Sequence, residues 1–212
     1  DSMGGDIIFW FIFLSTVITI LIIPGPDLLF ILTETLSNGK IYGIIAVLGV
    51  CTGAVFHVIA ASLGISALIL TSPFAFTIAK FIGAGYLLYL AYTFFNSPRS
   101  KTPVSINTHN NSRLWSCYKQ GVFINILNPK VVIFFTAYLS QFLREGYGSV
   151  SFQLMYMGFA VVLLALCIEF IYVLFAVRIA SSIEHSNKFN LTVSKVSAIL
   201  LVIIAIQLVR SV

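Results

Sequence analysis

ITILIIPGPDLLFILTE, residues 18–34, decides the fold: a strongly apolar run is cut by Pro24-Gly25-Pro26-Asp27 and then resumes. Proline removes a backbone donor and clashes with the preceding turn, so a helix must open there. Opened backbone at membrane depth is tolerated only where it is buried in protein or lines a wet cavity. FINILNPKVVIFF, residues 123–135, repeats the construction, with Asn128-Pro129-Lys130 between apolar flanks.

Working outward, the chain divides into six apolar spans. The first is about 7–32, carrying the Pro-Gly-Pro break. Residues 41–79 contain no Asp, Glu, Lys or Arg. At about 1.5 Å per residue they would reach about 58 Å, twice the hydrocarbon thickness. Thr71-Ser72-Pro73 divides them into spans at 41–70 and 73–95. A polar loop, about 96–113, follows. Span four is about 114–143, span five 150–177 and span six 191–209. The first run has no basic residues ahead of it and no small-residue cleavage site before Pro24, so it reads as a span and not as a removable signal.

Composition agrees. Of 212 residues, 59% are apolar and only 9% charged. Soluble domains carry about 25% charged residues, so a soluble fold and a disordered chain are both excluded. The net charge of +5 does not point to nucleic acid. The basic residues lie singly between apolar runs, where they set membrane orientation. Lys40, Arg99, Lys101, Arg113, Lys119, Arg178, Lys188 and Lys195 fall on one side, and only Arg144 and Arg210 on the other. Both termini are therefore expected outside, with the loop 96–113 in the cytoplasm.

The fold expected is an all-α membrane protein of one domain, residues 1–212. Its six transmembrane helices form two inverted three-helix repeats, about 7–95 and 114–210. Helices one and four are broken at Pro24-Gly25-Pro26 and Asn128-Pro129. Paired interruptions in corresponding spans are the best sequence pointer to a transport site. Asn128 reads as an N-cap with Pro129 as the first helical residue, and Asp27 as a cap for the resumed half of span one. A helix start at membrane depth offers bare N–H groups and a positive dipole end to a carboxylate.

Several motifs carry a family resemblance: PGPDLLFILT (24–33), GxxxGxxxH (49–57), SPFAF (72–76), KFIGAGYLLYL (80–90) and NILNPK (125–130). Together they resemble the LysE/RhtB superfamily of bacterial amino-acid exporters. The resemblance runs the length of the chain. It implies a six-helix inner-membrane exporter of basic or small neutral amino acids, working against protons.

The candidate substrate site is Pro24, Gly25, Pro26, Asp27, Asn125, Asn128, Pro129 and Lys130. The substrate carboxylate is expected at the amides after Asn128-Pro129 and at the Lys130 ammonium. Its amino group is expected at Asp27 and the carbonyls beside Pro24. Ionisable groups within spans default to function. Asp27, Glu169 and His57 are thus candidates for proton coupling, with Asp27 favoured. A structural ion pair of Lys130 with Glu169 or Asp27, and a packing role for His57, are the alternatives. Lys80 reads as snorkelling to the membrane edge. Gly49 and Gly53, one turn apart, permit close helix packing within the chain or in a homodimer.

No cofactor is expected. Cys51, Cys117 and Cys167 have no metal-site spacing, and of the histidines, 57, 109 and 185, only His57 lies within a span. An intramembrane enzyme would need a catalytic cluster that these residues do not form. The partners expected are an amino acid, protons and membrane lipid. A passive channel, or an exporter of another small solute such as a metal cation, is the rival reading.

Overall fold

The computed structural model describes residues 2–22, 25–64, 73–96, 111–182 and 187–210. Pro24, His109, His185 and the side chain of Lys80 lie outside the described residues.

All regular structure among the described residues is helical. Labelled by the spans expected from sequence, span one is two helices, α1 (Ser2–Ile22) and α2 (Pro26–Asn38). Span two is α3 (Lys40–Ser62) and span three α4 (Pro73–Phe95). Span four is α5 (Asn111–Ile126) and the short α6 (Pro129–Ile133). A π-helical turn at Phe134–Tyr138 and a 3-10 turn at Leu139–Phe142 extend α6. Span five is α7 (Val150–Ser182) and span six α8 (Asn187–Arg210).

By length and composition, three helices here can cross a membrane: Gly5–Ile22, Lys40–Ser62 and Val150–Arg178. The bent pair Asn111–Ile126 and Pro129–Phe142, turned by 49°, makes a fourth.

The breaks follow from local chemistry. Pro26 is the first residue of α2, where its missing N–H is not needed and its fixed φ suits a helix. The residue before it is therefore the cap. Gly25 holds that position in extended backbone (φ −134°, ψ −178°) with no side-chain cap bond. Asp27 is thus a first-turn residue and not the cap expected of it. Its Oδ1 instead accepts from the Leu28 N–H at 3.0 Å. At the other break the expected cap is present. Asn128 is extended (φ −74°, ψ 112°), Pro129 follows, and Asn128 Oδ1 accepts from Lys130 N at 3.0 Å. Gly39, at φ +96°, turns the chain directly from α2 into α3, a conformation that strains any residue with a Cβ.

Hydroxyls within the spans bond their own helix. Thr16 donates to Ile12 O, Thr33 to Leu29 O, Thr35 to Ile31 O and Thr52 to Leu48 O. No polar hydrogen on these side chains then faces hydrocarbon unpaired.

Helix α3 is the axis of the packing, against α2, α5 and α7. Its seam with α5 is backbone on backbone. A Cβ on Gly49 would fall against the Tyr118 carbonyl, and one on Gly53 would sit 2.8 Å from both Asn125 Cβ and Val122 O. Gly121 answers from α5, with Ala46 O at 2.8 Å from its would-be Cβ. The glycine pair therefore packs within the chain. The buried core around this axis includes Phe30, Ile31, Val47, Val50, Ile124, Leu139 and Met157. Helix α4 packs on α8, and α8 on α2.

Candidate functional site

The two breaks face one another. A Cβ added to Gly25 would lie 2.7 Å from Asp27 Oδ1, 3.5 Å from Lys130 Cδ and 3.7 Å from Lys130 Nζ. The acid opening α2 and the base opening α6 thus crowd one point. Both line a cavity with Glu169 of α7 and Asn125 of α5. Asp27, Asn125 and Glu169 are buried. Glu169 lies within electrostatic reach of Asp27 and Lys130, and the Cys51 thiol points at its Oε2 across 3.7 Å. The Asn125 Oδ1 is buried with no hydrogen-bond partner among the described residues.

The remaining walls are apolar. Ile20 and Leu21 come from α1, Val50 and Ala54 from α3, Phe134 and Phe135 from the π-helical turn, and Val161 and Val162 from α7. The cavity has a volume of about 40 Å³, taken as room for the centres of water molecules. One water needs about 10–15 Å³ of such room, so the space as it stands suits a few waters and must widen for a larger guest. A smaller recess beside it, also lined by Asp27, Lys130 and Glu169, reaches Tyr172.

Of the residues expected at the site, Asp27, Asn125 and Lys130 line the cavity, and Gly25 stands against Asp27 and Lys130. The structure changes one part of the expectation. The amides after Asn128-Pro129 are not bare: the Asn128 side chain takes the Lys130 N–H, and the Asn128 carbonyl takes those of Val131 (3.1 Å) and Val132 (3.0 Å). What the start of α6 offers an anion is its dipole and the Lys130 ammonium. His57 is buried one layer behind the cavity. Its Nε2 lies 3.2 Å from the Asn125 carbonyl, and its ring stacks on Phe135 at 5.8 Å. Cys51 and the aromatic walls were not singled out by sequence. An apolar residue facing a cavity and one facing lipid have the same chemistry, and only the fold separates them.

The broken span one is tied at both ends. At one end Arg144 pairs with Asp6 at 2.7 Å and lies over the Phe9 ring at 4.7 Å. Tyr147 joins this cluster by donating to Asp6 at 3.0 Å, a bond that raises its phenol above the ordinary range. Gln153 clamps the turn, accepting from Arg144 N (2.9 Å) and donating to Arg144 O (2.8 Å). At the other end Arg113 donates to Asn38 Oδ1 at 2.6 Å, and Asn38 donates to Glu34 at 2.9 Å.

Apolar helices broken around a buried, mixed-charge cavity define a multi-pass membrane transporter. The chain belongs to the LysE type translocator family, whose model matches residues 18–212. Among its relatives, YrhP, an uncharacterized membrane protein of Bacillus subtilis, is 30% identical, over 85% of this chain and 89% of its own. An uncharacterized membrane protein of Vibrio cholerae is 28% identical, over 86% of this chain and 87% of its own. The leucine efflux protein of Salmonella typhimurium is 31% identical, over 66% of this chain and 65% of its own. No solved structure matches the chain. The family is one of translocators and not of enzymes.

Proposed function

We propose that this protein is a secondary active exporter, moving an amino acid or a close derivative out across the bacterial inner (plasma) membrane in exchange for protons. The observation that carries this reading is the meeting of Asp27, Lys130 and Glu169 in one apolar-walled cavity between two helix breaks. An amino acid brings one cation, one anion and a side chain. The ammonium is assigned to Asp27 and the unpartnered Asn125 Oδ1, and the carboxylate to Lys130. The side chain is assigned to the Val, Ile and Phe walls, which favour an aliphatic group over a charged one. The name of the Salmonella relative points the same way.

The cavity carries two acids and one base among its described lining residues. The surplus carboxylate is where a proton binds when substrate is absent. Asp27 fits this role best, since it holds either a proton or the substrate ammonium. Glu169, with the Cys51 thiol beside it, is the reserve. In proteoliposomes, an imposed pH gradient is expected to drive uphill leucine movement, with lysine and threonine moved less. Asp27→Asn is expected to abolish the response to the gradient. Leucine flux indifferent to the pH gradient would indicate a passive channel. Transport of divalent cations without any amino acid would indicate another solute.

In this reading the chain has six spans in two inverted repeats. Each half resumes its broken helix in one pattern, cap–proline–charge: Gly25-Pro26-Asp27 and Asn128-Pro129-Lys130. The charge is opposite in the two halves. Both termini lie outside, by the bias of basic residues toward the other face. In right-side-out vesicles a membrane-impermeant maleimide is expected to label Glu145→Cys and to miss Ser105→Cys. The reverse pattern would invert the assigned orientation.

A further inference from the structure

We infer that His57 is a positioning residue for the binding site: its imidazole supplies the hydrogen bond that Pro129 withholds from the Asn125 carbonyl, and so holds two cavity walls in place. The inference rests on the exporter reading for what the walls receive, though not for the bond itself.

In a continuous helix the Asn125 carbonyl would accept from the N–H of residue 129, four positions on. Residue 129 is proline and has no N–H. The carbonyl sits in a buried break, where an unpaired polar group is costly. It takes two substitutes: the Asn128 N–H at 3.1 Å and His57 Nε2 at 3.2 Å. Two lone pairs accommodate two donors. A carbonyl oxygen only accepts, so the contact requires the imidazole hydrogen on Nε2.

The reach of this bond is set by the glycine seam. Gly53 lies one turn before His57 on α3, and a Cβ there would sit 2.8 Å from Asn125 Cβ. This close approach lets a side chain of α3 meet a carbonyl in the last turn of α5. The same ring stacks on Phe135, with 17° between the planes. Asn125 stands just before the break and Phe135 in the π-helical turn after it, and both line the cavity. One imidazole therefore fixes the wall on each side of Pro129. A transport histidine would need a free nitrogen exchanging protons at the cavity surface. His57 is not among the residues that line the cavity, and its Nε2 faces a backbone oxygen.

Two measurements test this. In transport, His57→Leu is expected to raise the KM for leucine about tenfold, the worth of one hydrogen bond, with Vmax changed less. His57→Gln, which carries an amide donor at similar reach, should return KM to within about threefold of wild type and keep the wild-type pH profile. Wild-type kinetics in His57→Leu would reduce His57 to packing. Loss of the pH-gradient response in both variants would make it a proton carrier. Either result overturns the inference.

The second measurement needs no substrate. In purified protein carrying His109→Gln and His185→Gln, imidazole 15N spectra at about pH 8, above the ordinary titration range, are expected to show one tautomer, with hydrogen on Nε2. Pro129→Ala restores a backbone donor for the carbonyl and should shift that Nε2 signal. A hydrogen on Nδ1, or an Nε2 signal indifferent to Pro129→Ala, would overturn the bond. If wild-type protein moves no amino acid, the exporter reading fails while the spectra still decide the role of His57.

Discussion

Lys130→Met is expected to abolish efflux, by about a hundredfold or more, while leaving a folded protein. The ammonium stands among Asp27, Glu169 and the Asn125 amide in a cavity otherwise walled by hydrocarbon. Lys130 is half-buried, so the fold tolerates its loss, while a hydrogen bond from its ammonium to a substrate carboxylate is worth about 1.5–3 kcal/mol. A substrate carboxylate would then meet two acids and no base. Asp27→Asn is the mirror experiment, removing the charge assigned to the substrate ammonium. Both variants should elute as monodisperse protein and unfold near the wild-type temperature, because Met fills the space of the lysine stem and Asn keeps the shape of Asp. Efflux at wild-type rates in either variant would leave these residues as a helix-start pair with no part in transport.

The second large effect is structural. Gly49→Val is expected to remove most folded protein, since its Cβ would drive into the Tyr118 carbonyl. The colliding atom is backbone, so no side chain can swing away and the two helices must separate. Overpacking of a well-filled core costs about 1–3 kcal/mol even where side chains can yield, and parting this seam also displaces Gly53 from Asn125. Gly85→Ala is the control. It is helical too, but nothing lies within 4 Å of its would-be Cβ, so its thermal midpoint should match wild type or exceed it. Equal stability of Gly49→Val and Gly85→Ala would deny the seam its role.

The comparison of glycines also indicates what a sequence can disclose. Proline and asparagine have fixed local meanings, so the break at Asn128-Pro129 and its cap were legible in the letters alone. At α2 the side-chain oxygen of Asp27 suggests a cap that Gly25 in fact supplies. Pro26 already dictates the answer: a proline in the first helical position makes its predecessor the cap, whatever that residue is. The amides of α6 read as bare in the sequence, but the Asn128 side chain and carbonyl take three of them. GxxxG spacing announces a close approach but not its partner. Gly121, far along the chain, had to be folded against Gly49 to answer that. The tie between Asp6 and Arg144 is of the same kind, joining residues that share only a side of the membrane in the sequence reading. The cavity walls were least legible. Lipid tails are as apolar as Val, Ile and Phe, so an inward face and an outward face of a membrane helix carry the same letters.

The glycine seam has a consequence for how the chain is made. It joins α3 to α5, and α5 is synthesised only after α4 and the long polar segment that follows. Throughout that interval α3 stands in the bilayer with its smooth glycine face against lipid and its His57 imidazole without the carbonyl it meets in the finished protein. The first half is therefore an unfinished surface, held in the membrane until residues 111–126 arrive to close it. The seam of the first half is thus closed by a helix of the second.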